Sequence, residues 1–267
     1  MASMRDIKRR KDSIQSTGQI TKAMKLVSTV KLQKAKGRAE NTKPYFDLMY
    51  ETVQSILAKS GHINHKYLKE SESDKKAVIV VTANRGLAGG YNSNITRMII
   101  DEGFTKENTV VYAVGKKGRE LLERKGYEIK ADYSEAINDP IYKDAKEICD
   151  DVLSAFADGE VGEIYLAYTV FKNTVVHEPQ LIRLLPVEAD DAAHETDGSE
   201  ALMTYEPSEE EALDMIIPKY VCSLVYGALI ESVASENGAR MQAMDAATSN
   251  AEDMISTLSL AYNRARQ

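Results

Sequence analysis

A glycine-rich stretch near the middle of the sequence has the composition of a phosphate-binding turn. Residues 84–92, Asn-Arg-Gly-Leu-Ala-Gly-Gly-Tyr-Asn, follow an apolar segment and precede an amphipathic one. Backbone N–H groups at such a strand-to-helix turn can bind a phosphate. The stretch matches neither common glycine motif of nucleotide-binding proteins, and no acidic residue stands where a ribose hydroxyl would be bound. The favoured interpretation is a tight turn that needs glycine backbone angles, with nucleotide binding as the alternative.

Other residue types that could carry chemistry are few. His62 and His65 have a spacing that could place two metal ligands on one helix face, but the residues around them favour a loop and a third ligand is not evident. Cys149 and Cys222 are expected to be ordinary small residues in a reducing compartment, without a disulfide framework. The motifs G-x-S-x-G, H-E-x-x-H and C-x-x-C are absent from the sequence. Enzymatic activity is thus unsupported, and neither a metal nor a cofactor is predicted.

Charge is unevenly distributed along the chain. Residues 1–40 contain eleven Lys or Arg and three acidic residues, whereas residues 206–267 contain four basic and ten acidic ones. The basic segment could bind nucleic acid, but it lacks the interleaved aromatic side chains that stack on bases. Two segments of opposite charge could also attract each other. A coiled-coil adaptor that binds nucleic acid therefore remains only a minor alternative.

The elements that would position these residues are dominated by the last sixty residues. Uncharged residues recur there at steps of three and four, as in the seam of a coiled coil. The seam consists of Leu213, Ile216, Tyr220, Ser223, Gly227, Ile230, Ala234, Asn237, Met241, Met244, Thr248, Ala251, Ile255, Leu258 and Tyr262. Ser208 is a suitable N-cap, with Glu211 at the capping-box position. The predicted helix would be about 90 Å long, so a second element must lie along it.

A second long helix is predicted near the N-terminus, with Ser3 as its N-cap. The residues of this helix that recur at steps of three and four have mainly short side chains. Arg10 and Lys31 interrupt this pattern. Short side chains in a seam allow two helices to approach closely. Pro44 is expected to bend this helix and Pro218 to bend the C-terminal one.

Between the long helices, strands alternate with shorter helices, which is typical of βαβ units. Strands are predicted at residues 75–82, 109–114, 127–130, 163–171 and 175–185, the last two as a hairpin. The fold class is therefore α/β plus long helices, an antiparallel coiled coil of the N- and C-terminal helices with an inserted Rossmann-like α/β domain. The predicted division is a helix at 1–60, a linker at 61–75, the α/β domain at 76–186, a linker at 187–206 and a helix at 207–267.

The composition is that of a folded protein. A hydrophobic content of 43% supports a packed core and argues against disorder. Neither an apolar run of membrane-spanning length nor a secretory leader is recognised in the sequence. A membrane-spanning helix is therefore not expected.

Three separated motifs resemble the gamma subunit of the F-type ATP synthases. Residues 4–35, with Ile-Thr-Lys-Ala-Met-Lys-Leu-Val at 20–27, resemble the N-terminal helix of that family. The turn Arg-Gly-Leu-Ala-Gly-Gly-Tyr-Asn at 85–92 resembles its RGL-x-GG-[YF]-N turn, and residues 234–267 resemble its C-terminal helix. The motifs occur in the family's order and span nearly the whole chain.

The resemblance implies a rotor shaft rather than an enzyme. In the family, an antiparallel coiled coil stands inside a ring of alternating alpha and beta subunits, with one gamma for three of each. The α/β domain and the lower coiled coil form, together with epsilon, a foot on the membrane ring of c subunits. Proton flow, or sodium flow in some members, turns that ring and the shaft, which forces the catalytic beta sites through successive conformations. Catalytic residues belong to the other subunits, and neither a cofactor nor nucleic acid is implied.

Eight positions match contact residues of the family. Those expected to meet beta are Lys8, Arg9, Lys22, Met24, Arg240, Arg266 and Gln267. The basic ones in the N-terminal helix would meet acidic loops of beta. The eighth, Tyr205, is expected to approach the c ring.

The family usually continues past the sequence Asn-Arg-Ala-Arg-Gln with a segment that reaches deep into the ring, whereas this sequence ends at Gln267. The lack of a recognisable transit peptide favours a bacterial protein, peripheral on the cytoplasmic side of the cell membrane, or a processed organellar one. The membrane would be reached only through the c ring. The alternative hypothesis is a nucleotide-binding α/β enzyme with a helical dimerisation arm.

Overall fold

The computed structural model describes residues 4–59, 65–69, 73–187 and 208–267. Two long helices enclose a series of shorter helices and strands, which confirms the predicted fold class. In chain order the elements are α1 (Met4–Lys59), β1 (Lys76–Val81), α2 (Tyr91–Asp101), β2 (Thr109–Val114), α3 (Lys116–Glu123), β3 (Glu128–Asp132), a 3-10 turn (Ala136–Asn138), α4 (Tyr142–Ala157), β4 (Glu163–Phe171), β5 (His177–Leu185) and α5 (Glu209–Arg266).

The five strands form one mixed sheet in the order β3-β2-β1-β4-β5. β1 pairs in parallel with β2 and β4, and β2 pairs in parallel with β3. β4 and β5 pair antiparallel, which confirms the predicted hairpin. β1 and β2 are buried along almost their whole length, as expected when helices cover both faces of parallel strands. The strand order changes direction between β1 and β4.

Helices cover both faces of the sheet. On one face, Val80 packs with Ile95 of α2 and Leu122 of α3. On the other face, Ile148 of α4 and Leu229 of α5 belong to a larger apolar core. The helix α5 is therefore a core element of the α/β region as well as the partner of α1.

The first half of α5 is more deeply buried than one coiled-coil seam requires. Besides the seam residues Ile230 and Ala234, the side chains of Ile217, Val221 and Val225 are at most 2% exposed. These last three belong to the core that α5 shares with the sheet and α4. After about residue 244, most side chains outside the seam are exposed. The first half of α5 therefore packs on the sheet region as well as on α1, and the predicted seam indicated only one of these two contacts.

The two long helices run antiparallel, as predicted. The hydroxyl oxygens of Thr21 and Thr248 lie 2.8 Å apart. Farther along α1, Phe46 packs edge to face against Tyr226, with ring centroids 6.1 Å apart. Residues later in α1 thus contact residues earlier in α5, as expected for antiparallel helices.

Charge attraction contributes little to this pairing. Lys25 and Asp245 form an ion pair between the helices at 2.6 Å, with side chains 38% and 62% exposed. A pair in such a setting is worth about 0–1 kcal/mol. Several other basic residues of α1 pair with acidic residues of the same helix. Close packing of small residues carries more of the contact, as at Gly18, where a Cβ would lie 3.3 Å from the Cβ of Ala251.

The cap and the prolines of the long helices can be compared with the sequence predictions. The Ser208 hydroxyl accepts a hydrogen bond from the Glu211 backbone N–H at 3.2 Å, which confirms the predicted N-cap. Pro44 lies within α1 and Pro218 within α5, and each helix continues on both sides of its proline. A local bend at either proline stays a prediction.

Some predicted features fall outside the described residues. They include Ser3, His62, Tyr205 and most of the linker at 187–206. The division of the chain into two linkers, an α/β domain and two helices therefore stays a prediction.

By length and composition alone, α5 contains a stretch apolar enough to cross a membrane, contrary to the expectation from the sequence. In the structure 56% of that stretch is buried. The core helix of a folded domain has the same composition, and the packing of α5 on the sheet and on α1 accounts for its apolar character.

A close approach at the ends of β1 and β2 fixes the start of α3. Gly115 has a φ of 121°, and a Cβ at this position would overlap the carbonyl oxygen of Thr82. The Thr82 hydroxyl donates to the Gly115 carbonyl at 3.2 Å and accepts from the Gly118 N–H at 2.9 Å. Glycine alone combines this backbone angle with the missing side chain.

Candidate partner interface

The glycine-rich stretch 84–92 is a tight turn between β1 and α2. Leu87 and Gly89 have φ values of 62° and 56°. The turn is closed by its own side chains, because Asn92 Oδ1 accepts a hydrogen bond from the Ala83 N–H at 2.9 Å. This geometry agrees with the favoured interpretation of the sequence.

The helix α5 lies at the carboxyl ends of β1 and β4, where doubly wound sheets bind their ligands. The Tyr91 hydroxyl donates to the Ser232 carbonyl at 3.1 Å, and the Ser235 hydroxyl donates to the Thr169 carbonyl at 3.1 Å. Burial raises the pKa of Tyr91, so its phenol stays protonated and remains a donor. The position of α5 argues against the nucleotide-binding alternative.

A cavity of about 440 Å³ remains beside the turn. Gly90, Thr169, His177 and Gln242 line it, and among the described lining residues there is no lysine or arginine. Burial lowers the pKa of His177, so its ring is neutral near pH 7. A phosphate in this cavity would therefore lack the cation that usually binds it.

Tyr91→Phe tests the attachment of the turn to α5. It removes the bond to Ser232 but keeps the buried ring, so the free energy of unfolding should fall by about 1 kcal/mol in denaturant unfolding of the full chain. Tyr168→Phe is the matched control, because its hydroxyl donates to Gln180 at 3.2 Å in a solvent-exposed setting. That control should lose less than about 0.5 kcal/mol. Equal losses would mean that the Tyr91 hydroxyl does not fasten the turn.

Of the two histidines considered as metal ligands, the structure describes His65. The Nε2 atom of buried His65 lies 3.2 Å from the Asp214 carboxylate, which also binds Lys66 at 2.7 Å. His62 lies outside the described residues. Within the described part of the chain, no group of three His, Cys, Asp or Glu side chains could hold a metal ion.

A groove of about 910 Å³ runs between α1, the glycine-rich turn and α5. Three apolar side chains that line it are unusually exposed, Ile20 at 61%, Val27 at 57% and Leu87 at 63%. Two acidic residues, Asp139 and Glu236, also line it. Its basic lining residues are Lys31, Lys34, Arg38, Arg85 and Arg240. An acidic, partly apolar partner surface would complement this groove.

Two of these basic residues form ion pairs within the chain. Arg38 pairs with Asp139, and Arg240 pairs with Glu236 at 2.6 Å. Arg240 also donates to the Gly86 carbonyl at 3.4 Å, and its side chain is only 11% exposed. The other three form no ion pair among the described residues, so they can meet a partner.

The structure brings two of the predicted contact residues, Met24 and Arg240, to this one groove. Tyr205 lies outside the described residues. Lys8, Arg9, Lys22 and Arg266 are exposed on the long helices, and Gln267 is exposed directly after the end of α5. Because the helices are antiparallel, the start of α1 and the end of α5 lie at the same end of the pair.

Sequence reasoning missed Val27, Arg85 and Leu87 as groove residues. The available signal was the presence of large apolar residues in α1 that lie off its seam, together with a leucine inside a glycine-rich turn. An exposed leucine with positive φ is an unusual choice for a turn, and a contact with another molecule would explain it.

Comparison with known proteins agrees with these features. The model of a family described as ATP synthase matches residues 3–267. The chain is 68% identical to the ATP synthase gamma chain of Lachnoclostridium phytofermentans, over 100% of this chain and 94% of that one. It is 41% identical to the sodium ion specific ATP synthase gamma chain of Acetobacterium woodii, over 99% and 93%.

Solved structures show the same architecture. A chain in the central stalk and c-ring structure of the Tetrahymena thermophila mitochondrial ATP synthase is 27% identical, with a TM-score of 0.65 over 85% of this chain and 99% of that one. A chain in the rotor of the Euglena gracilis mitochondrial ATP synthase has the same fold, with a TM-score of 0.71 over 98% and 97% at 17% identity. The high identity over almost the full length of bacterial relatives places this chain in the gamma-chain family of the ATP synthases.

Proposed function

We propose that this chain is the central rotor shaft of an F-type ATP synthase and a non-catalytic subunit of that complex. The observation that carries the proposal is the antiparallel helix pair, which exposes apolar side chains over the part that extends beyond the sheet. The two helices contain 56 and 58 residues, which corresponds to about 85 Å each. Length, continuity and an exposed contact surface are what a shaft inside a sleeve of other subunits requires.

The exposed apolar residues of α1 support enclosure by alpha and beta subunits. Ile20, Leu26, Val27 and Val30 lie on neighbouring turns and are 57–70% exposed. An isolated soluble protein rarely exposes a large contiguous apolar patch without a partner for it. One shaft for three alpha and three beta subunits would place this surface inside their ring.

Charge supports beta as the nearest partner. Lys8, Arg9 and Lys22 are exposed on α1, and acidic loops of beta would complement them. Exposed ion pairs are individually weak and screened by salt. Contacts of this kind can form and separate repeatedly as the shaft turns.

The other end of the molecule would couple the shaft to the membrane. We infer that the α/β region and the adjoining part of the helix pair form a foot with epsilon on the c ring, with Tyr205 near that ring. Rotation of the ring would turn the shaft, and the asymmetry of the shaft would impose successive conformations on the three beta subunits. The protein would be peripheral, on the cytoplasmic side of a bacterial cell membrane, and would reach the membrane only through the c ring.

The native mass of the chain co-expressed with alpha and beta subunits from a related source tests this function. A complex with one copy per three alpha and three beta subunits is the expected result. A chain that stays alone or pairs only with itself in the presence of both partners would contradict the proposal. Added ATP at equilibrium should not bind saturably to the isolated chain.

Met24→Lys tests the coupling between ATP hydrolysis and ion pumping separately from the folding of the chain. Met24 is half-buried and lines the groove, so a lysine can extend its charge into solvent and the isolated chain should melt within a few degrees of the original. In the assembled enzyme, the new charge should lower the amount of ion pumping per ATP hydrolysed. Met24→Leu keeps the apolar volume and should preserve that ratio. An unchanged ratio in the lysine variant would remove Met24 from the set of contact residues.

A further inference from the structure

A partly buried ion pair lies in the groove between α1, the glycine-rich turn and α5. Glu236 and Arg240 are about one helical turn apart on α5, with an N–O distance of 2.6 Å and side chains 13% and 11% exposed. Ion pairs of the same spacing on α1 and α4 have side chains at least 49% exposed. Water and salt weaken such exposed pairs, whereas a more enclosed pair is screened less. Glu236 therefore holds the Arg240 guanidinium in one direction.

The guanidinium links α5 to the glycine-rich turn. Its Nη2 atom donates to the Glu236 carboxylate and also, at 3.4 Å, to the Gly86 carbonyl. Ala239, the residue before Arg240 on α5, packs against the small apolar cluster of the turn that contains Ala88. A hydrogen bond and an apolar contact thus attach the same part of the turn to α5.

The attached part of the turn presents two exposed side chains. Leu87 follows Gly86, is 63% exposed and has a φ of 62°. Arg85 precedes Gly86 and is also exposed. A leucine in the left-handed region is unfavourable by itself, so the surrounding contacts must hold this backbone in place. The bond to the Gly86 carbonyl therefore helps to set the direction in which Leu87 and Arg85 face a partner.

We propose that Glu236 is a positioning residue for the partner contact, because it holds Arg240 on the Gly86 carbonyl and so fixes the turn that presents Leu87. This role rests on the proposed function, in which the groove meets the surrounding subunits. The charge of Arg240 is balanced within the chain by Glu236. Arg240 therefore acts through the turn, and not as the direct contact with beta that the family resemblance implied. Leu87 and Arg85 make the contact itself.

Hydrogen exchange of the full folded chain measures the positioning without any partner. The N–H groups of Ala83 and Tyr91 form hydrogen bonds that close the turn, so their exchange reports how often the turn opens. In Glu236→Ala and in Arg240→Lys, both amides should exchange about fivefold faster, as the loss of one hydrogen bond predicts. Arg240→Lys keeps the charge, but the lysine side chain is shorter and lacks the planar guanidinium.

Asp150→Ala is the matched control. Asp150 pairs with Lys146 at the same spacing on α4, with side chains 63% and 64% exposed. The two amides of the turn should keep their exchange rates in this variant. Glu236→Gln retains an uncharged acceptor for Arg240, so it should show a smaller change than Glu236→Ala.

Ion pumping per ATP hydrolysed, measured in membrane vesicles that contain the assembled enzyme, tests the effect on the partner contact. Glu236→Ala and Arg240→Lys should each lower this ratio by about twofold or more, because residues of one hydrogen-bonded network are coupled. The double variant should lower the ratio no further, since both residues act through one contact. Asp150→Ala should leave the ratio unchanged.

A direct contact of Arg240 with beta would give a different pattern. Arg240→Lys would then keep the ratio through its charge, and Glu236→Ala would leave the arginine free to bind. Either result would overturn the proposal, and so would unchanged exchange at Ala83 and Tyr91 in both variants. If the unmodified chain does not join alpha and beta subunits, the proposed function fails, and the exchange rates alone still decide whether Glu236 holds the turn.

Discussion

Gly115→Ala should lower the free energy of unfolding by at least about 3 kcal/mol. Gly115 has a φ of 121°, which side chains rarely adopt, and a Cβ at this position would overlap the carbonyl oxygen of Thr82. The end of β1 and the start of α3 would have to move apart, which would also break the hydrogen bond that the Gly118 N–H donates to the Thr82 hydroxyl. Denaturant unfolding of the full chain, followed by circular dichroism, measures the effect.

Gly159→Ala is the matched control for this substitution. Gly159 also has a positive φ, 73°, but a Cβ there meets no atom within 4 Å. It should therefore show only the backbone cost of a left-handed alanine, about 1–2 kcal/mol. Equal losses at the two positions would mean that the close approach to Thr82 does not matter for stability.

Met244→Asp should destabilise the helix pair by about 2–4 kcal/mol. Met244 is 5% exposed and lies in the part of α5 that faces α1. The substitution removes buried apolar area and places a carboxylate in the seam without a designed partner. The free energy of unfolding and the helical signal of the full chain are the measurements.

Met254→Asp is an identical chemical change on the same helix at a position that is 54% exposed. It should change the free energy of unfolding by less than about 0.5 kcal/mol. If both substitutions had the same effect, the loss would come from helix propensity or net charge, and the seam would not be the contact that joins the helices.

Much of the architecture could be predicted because its signals are local. The uncharged track from Leu213 to Tyr262 predicted α5, and the cap at Ser208 fixed its start to within one residue. The short apolar segment around Val80 predicted a buried strand. The order of elements then required antiparallel helices, since a segment between them joins the end of one to the start of the other.

What could not be predicted depends on contacts distant in sequence. Ile217, Val221 and Val225 form a second apolar track on α5, beside the seam. Periodicity shows that such a track is buried, but it does not distinguish a helix from a sheet as the neighbour. The burial of Cys149 and Cys222 in one apolar core has the same origin, because it depends on how α4 packs on α5.

The candidate interface could be predicted only in part for the same reason, because it also depends on contacts between residues distant in sequence. The helix positions of Met24 and Arg240 could be read from the resemblance, but the turn that stands beside them could not be placed without the fold. Arg240 also contributes to holding that turn, through its bond to Gly86. Its replacement would therefore affect the shape of the groove as well as any contact with a partner.

The continuity of α5 has a mechanical consequence. Its first half is embedded in the core of the sheet region, and its second half is supported mainly by α1. A twisting load applied to the sheet region is thus transmitted along one helix that continues on both sides of Pro218. The less supported half is the more compliant one, so elastic strain would accumulate there, between a stiff base and the surfaces that resist its turning.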